Sequence, residues 1–242
     1  MLFRSELEKS AQYELRALDL FRGLRDRRGE AAMLNNQGVG AFVRGDYQVA
    51  IARYEEALRV AREIGSQDRI AMFLSNLGGA RVGLGEFAAA ESDVRQSIER
   101  VGAGMTHFLP LTYVFLAEAL LGQEKCEAAC EAAQTGLRLA QESSQPDVVS
   151  SAYRVLGTCA AMRLRHGKPF PEEFQPEKCY RESIRIAEGI GSEVDRARTL
   201  RDWAAAESAR GNLERAAALR AEALSLFKKL DMDLEVQRME KV

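Results

Sequence analysis

Between residues 28 and 64 apolar side chains recur at helical spacing in two runs separated by a break. Leu34, Ala41 and Phe42 carry the first run up to Gly45-Asp46; Val49, Ala50, Ile51, Tyr54, Ala57, Leu58 and Val60 carry the second. A period of about 3.6 predicts two amphipathic helices, because a strand would alternate every second residue. The break is turn chemistry. Gly45 ends the first helix, and Asp46 places an acid at the start of the second, where it complements the helix dipole.

The pattern then returns along the chain. QGVGAFVRGDYQVAIARYEEAL (37–58) superposes without a gap on LGGARVGLGEFAAAESDVRQSI (77–98), at an offset of 40 residues. Gly38 falls on Gly78, Gly45 on Gly85, Tyr47 on Phe87, Ala50 on Ala90 and Ala57-Leu58 on Ser97-Ile98. A third copy, LAEALLGQEKCEAACEAAQTGL (116–137), keeps Ala117, Ala129 and Gly136-Leu137 in register but has Glu124 in the turn glycine's place, with Gly122 two residues early. A fourth copy opens at VLGTCAAMRL with Gly157, and a fifth, WAAAESARGNLERAAALRAEAL (203–224), carries Ala204, Gly211, Ala216 and Ala223-Leu224. The spacing between these last two stretches to 47, which marks an insertion of about seven residues around GKPFPEEFQPEK (167–178).

Such a repeat predicts an all-α, right-handed α-solenoid of antiparallel helix hairpins, each burying its faces against its neighbours. We expect one array over 1–242, with hairpins at 28–64, 68–101, 107–143, 147–190 and 194–229 and a capping helix at 231–241. Gly38, Gly78, Ala117, Gly157 and Ala204 face Ala50, Ala90, Ala129 and Ala216 and let paired helices pack closely. Residues 10–31 align with the second helix of a repeat, Ala17-Leu18 standing where Ala57-Leu58 stand, with no first helix before them. Residues 3–24 are therefore either a capping helix or the incomplete first repeat of a segment cut from a longer protein.

The pattern of Gly38, Ala41, Gly45, Tyr47, Ala50, Tyr54 and Ala57-Leu58, repeated at Gly78, Gly85, Phe87, Ala90, Val94 and Ser97-Ile98, resembles the tetratricopeptide repeat (TPR). The longer 40-residue period is similar to repeats in bacterial signal-transduction regulators, including ATPase-type transcriptional activators, cyclase- and kinase-linked regulators and peptide-responsive Rap-type proteins. It is also similar to repeats of mitotic-spindle adaptors. The resemblance implies protein or peptide binding on a concave groove rather than chemistry. In that family the first helix of each hairpin lines the groove. By register this implies Asn35, Val39 and Phe42; Ser75, Gly79 and Val82; Val114, Glu118 and Leu121; Arg154 and Thr158; and Arg198 and Arg201. The face turns basic toward Arg154, Arg198 and Arg201, which suits a peptide with an acidic segment. Asn36 and Asn76 repeat in register, either as buried amides bonding a neighbouring helix or as ligand contacts. The two-carboxylate clamp of chaperone-tail binders is not reproduced, since Val39 stands where its Asn belongs.

Composition narrows the partners. A net charge of −2 lacks the basic field that neutralises nucleic-acid phosphates. No apolar run reaches the roughly 18 residues of a membrane span, and the N-terminus lacks the pattern of a signal peptide. Four cysteines without a regular framework fit a reducing cytoplasm.

Several local motifs dissolve into the repeat. NLGGARVGLGE (76–86) has the look of a phosphate loop, but neither a preceding strand nor a Lys-Ser/Thr accompanies it. Arg44-Gly45-Asp46 is the intra-repeat turn. Cys126 and Cys130 read as core packing because Cys126 takes the place of Tyr47 and Phe87, and a structural zinc site would need further ligands where only His107 and His166 exist. Cys159 and Cys179 read as structural. Neither histidine falls in a catalytic motif, so the expectation is a non-enzyme with no cofactor and no metal. Self-association through the apolar face of the incomplete first repeat is the alternative role.

Overall fold

The computed structural model describes residues 2–102, 106–168 and 171–241. Among the described residues it is all helix, without a strand. A first helix, α1 (Leu2–Gly23), is followed by five hairpins: α2 (Arg27–Val43) with α3 (Tyr47–Glu63), α4 (Gln67–Leu84) with α5 (Phe87–Arg100), α6 (Leu109–Leu121) with α7 (Cys126–Glu142), α8 (Pro146–Arg165) with α9 (Pro176–Gly189), and α10 (Glu193–Ala209) with α11 (Leu213–Lys229). A short helix, α12 (Asp233–Glu240), packs on α11. Each helix packs on its successor, and the first helices also touch each other in the series α2, α4, α6, α8, α10. That double contact makes the array an all-α solenoid with the first helices on its inner wall.

Glycine does two separate jobs here. At the intra-repeat turns Gly45 and Gly85 hold φ of 81° and 85°, the left-handed conformation that closes a helix without Cβ strain. Glu124 keeps the same geometry at φ 59° without being glycine. Within the helices and at the end of α6 the missing Cβ makes room for a partner: one added to Gly78 would lie 2.4 Å from Val94 Cγ2, and one on Gly122, just past α6, would lie 2.3 Å from Cγ of Phe87. The glycine stretch of α4 is therefore packing geometry throughout. The Cβ of a substituted Gly79 would meet the Phe115 ring at 2.6 Å, and that of Gly83 the Tyr47 ring at 2.5 Å.

The core runs along the array in three apolar clusters, centred on Leu34, Tyr54 and Phe73, on Leu120, Leu137 and Leu156, and on Leu200, Phe227 and Met232. Burying each such side chain contributes about 2 kcal/mol. All four cysteines are buried and free, as packing residues. Hydroxyls stitch successive layers: Ser75 and Thr112 share a hydrogen bond of 2.7 Å, as do Ser183 and Thr199 at 2.8 Å. In the 167–178 insertion a 3-10 turn at Glu172–Phe174 sets Phe174 against the middle cluster, whereas Phe170 lies outside the described residues. Among the described residues no helix is long and apolar enough to cross a membrane.

Candidate functional site

The inner wall lines an open cavity of about 1130 Å³. Its apolar lining includes Phe42, Val82, Val114, Phe115, Leu121 and Met239. Ten of the thirteen groove residues expected from register line it: Phe42, Gly79, Val82, Val114, Glu118, Leu121, Arg154, Thr158, Arg198 and Arg201. Three do not. Asn35 is buried and accepts a hydrogen bond from Asn76 Nδ2 at 2.8 Å, Ser75 is buried on Thr112, and Val39 is exposed away from the cavity. The paired amides thus bond across α2 and α4, but the residue joined to Asn76 is Asn35, while Asn36 is exposed.

Charge in the cavity is balanced rather than basic, with five arginines and five carboxylates in its lining. Arg154 donates from Nη2 to Glu118 and from Nη1 to Asp202, both at 2.6 Å. Arg201 donates from Nε to the other oxygen of Asp202 and from Nη1 to Glu235, both at 2.8 Å. Glu235 in turn accepts from the Tyr47 hydroxyl at 2.7 Å. One continuous chain of polar contacts, Glu118–Arg154–Asp202–Arg201–Glu235–Tyr47, therefore crosses α6, α8, α10, α12 and α3. The expected basic stretch is corrected in this respect: Arg154 and Arg201 already grip carboxylates of the chain itself.

Electrostatics and burial agree on the strength of that chain. Burial alone would lower the affinity of the Arg154 guanidinium for its proton, but Glu118 and Asp202 outweigh it and the pKa rises above the ordinary arginine value. Burial likewise pushes Asp202 up, and Arg201 and Arg154 bring it below the usual carboxylate range. Glu235 follows the same logic, with burial overcome by Arg201 and the Tyr47 hydroxyl. Burial raises Tyr47, so its hydroxyl remains a donor at neutral pH.

Arg198 differs from these. Its guanidinium lies 5.5 Å over the Phe42 ring, and its Nη2 is buried without a hydrogen-bond acceptor. Phe42 is held edge-on by Tyr47 at 5.7 Å and by Phe115 at 5.9 Å between centroids. Arg238 covers the Tyr47 ring at 5.3 Å. Register alone misses Tyr47, Asp202, Arg220, Glu235, Arg238 and Met239, which also line the cavity. Their presence depends on the superhelix curving until α12 meets the α2–α3 turn. The sign alternation of Glu118, Arg154 and Asp202 on successive first helices was the one signal in the sequence that pointed to part of this network.

Comparison with known proteins places these features. The tetratricopeptide repeat family model matches residues 29–101, the first two hairpins. No curated protein matches the chain in sequence. Among solved structures, the apo form of RapI superposes with a TM-score of 0.75 at 17% identity, over 99% of this chain and 80% of that one. BtubC from P. vanneervenii gives a TM-score of 0.61 at 18% identity, over 93% of this chain and 92% of that one. At such identities the likeness concerns the fold.

Proposed function

We propose that this chain, which carries tetratricopeptide repeats at residues 29–101 within an all-α solenoid, is a non-catalytic module that captures a peptide or protein segment in its cavity. It would act as the adaptor or sensor segment of a cytoplasmic, bacterial-type regulatory protein. The single observation that carries the reading is the cavity itself. Its volume of about 1130 Å³ lies above the roughly 300–1,000 Å³ of small-ligand pockets, and its apolar rings and orienting polar groups suit an extended segment. Repeats of this family generally bind proteins or peptides, which supports the same conclusion.

The test is retention of a random hexapeptide pool by the immobilised chain, read by mass spectrometry. Val82→Trp and Leu121→Arg, which fill or charge the cavity wall, should each abolish retention while the helical circular dichroism is unchanged. Full retention by both variants would place binding elsewhere.

A second reading, self-association, is favoured by α1. Tyr13 and Leu20 on α1 and Leu24 in the turn just after it are 68%, 60% and 68% exposed and, at spacings of seven and four, form one apolar stripe. Light scattering tests it: a strict monomer at high concentration would remove this reading.

A further inference from the structure

We infer that Arg198 is the anchor for a carboxylate of the captured segment; the inference rests on the peptide reading above. Three of the cavity's arginines are occupied. Arg154 and Arg201 hold resident carboxylates at hydrogen-bond distance, and Arg238 sits 3.9 Å from Glu235. Arg198 has no carboxylate within ion-pair distance among the described residues, and its Nη2 is shielded from solvent with no acceptor. Other guanidinium groups also leave one nitrogen unbonded, but Arg81 and Arg196 each grip a carboxylate through another nitrogen. Arg198 grips none.

No neighbouring carboxylate hydrogen-bonds Arg198 among the described residues. Asp195, one turn earlier on α10, is engaged by the Ser192 hydroxyl, and Glu235, which feels the Arg198 charge, accepts its hydrogen bonds from Tyr47 and Arg201. Arg220, on α11, adds a second cation of the lining without an ion pair among the described residues. A buried N–H without an acceptor is unfavourable, and a guanidinium fork matches a carboxylate in both shape and charge. Stacking on Phe42, itself fixed by Tyr47 and Phe115, holds the fork in place before a ligand arrives. The acidic end of the segment therefore docks at the Phe42–Arg198 corner, and the ladder through Arg154 and Arg201 stays intact.

The experiment uses two random hexapeptide pools, one with free C-termini and one with C-terminal amides, applied to the full chain and to its Arg198→Gln and Arg198→Lys variants. The wild-type chain should prefer carboxylate-bearing peptides by about tenfold, the scale of one charged hydrogen bond, read as enrichment of Asp and Glu within a pool or as retention of the free-acid pool over the amide pool. Asp and Glu enriched in both pools identify a side-chain carboxylate as the source; retention about tenfold weaker for the amidated pool, without such enrichment, identifies the C-terminus. Arg198→Gln should still retain apolar peptides but without the acidic preference, and Arg198→Lys should keep part of it. Equal retention of the two pools without acidic enrichment overturns the anchor and leaves the peptide reading standing, as does a carboxylate preference unchanged in Arg198→Gln. No retention of either pool overturns both. Should Arg198→Gln fail to fold, the wild-type enrichment and the Lys variant decide the matter.

Discussion

The hydroxyl of Tyr47, at the start of α3, donates a 2.7 Å hydrogen bond to the buried carboxylate of Glu235 on α12, 188 residues further along the chain. The other side-chain hydrogen bonds among the described residues span 48 residues or fewer, so this bond joins the first hairpin to α12 across the intervening repeats. Tyr47→Phe should destabilise the protein by about 1–3 kcal/mol, because Glu235 stays buried with one acceptor unmet. Urea denaturation measures it. A loss below about 0.3 kcal/mol would mean that the contact is solvated and holds nothing together.

Arg154 is a stronger case. Its side chain is 9% exposed and it serves two carboxylates, Glu118 and Asp202, each 18% exposed. Arg154→Met leaves both without their shared counter-ion and should cost about 3 kcal/mol. Combined with Asp202→Asn, the loss should fall well short of the sum of the two single losses, since contacting partners do not add. Strict additivity in the double-mutant cycle would contradict the pairing.

The helix-interior glycines predict a reversal of sign. Glycine to alanine in a helix ordinarily stabilises by about 1 kcal/mol. At Gly78 the new Cβ would meet Val94 Cγ2 at 2.4 Å and the Ala90 carbonyl oxygen at 3.3 Å, and the carbonyl belongs to the backbone of α5. Gly78→Ala should therefore destabilise by about 1–3 kcal/mol, with part recovered when Val94→Ala is added. A higher melting temperature for Gly78→Ala would show that α4 and α5 do not pack as described.

Acid should act through carboxylates held below their ordinary range. Glu91 is brought to about 2 from 4.5, chiefly by the hydrogen bond from Lys125, and Glu177 to about 2 by Arg215 and Arg181. Asp202 and Glu235 also lie low, because their arginine partners outweigh burial. A folded-state pKa below the unfolded one means stabilisation that is complete above the unfolded value and lost as pH falls through the folded one. Asp93, raised by burial, opposes this as a single group. The melting temperature should thus stay level from neutral pH down to about 5 and drop between about 4.5 and 2. A drop that begins above pH 6 would point to other groups.

The hairpins were legible because their signals are local and repeated: the period of apolar residues, the turn glycines at 45 and 85, and the small residues at 38 and 78. Helix α3 shows the limit of reading apolar residues alone, since Val49 shares the spacing yet is 51% exposed. Ten inner-wall residues followed from register for the same reason. What the sequence obscured is long in range. The far wall of the cavity depends on small rotations summed over five hairpins, which no short window encodes. The basic face was misjudged because the partners of Arg154 stand 36 and 48 residues away, so the charges look free until the repeats are stacked.

The union of Tyr47 with Glu235 also bears on how many repeats can stand between them. In an open solenoid each unit answers only to its neighbours, so units can be gained or lost and the ends can fray independently. Here a hairpin cut from the middle would pull Glu235 away from Tyr47 and Arg198 away from Phe42 at once. The number of hairpins between Tyr47 and Glu235 is thereby tied to that closure, and this stretch is expected to unfold as one cooperative unit.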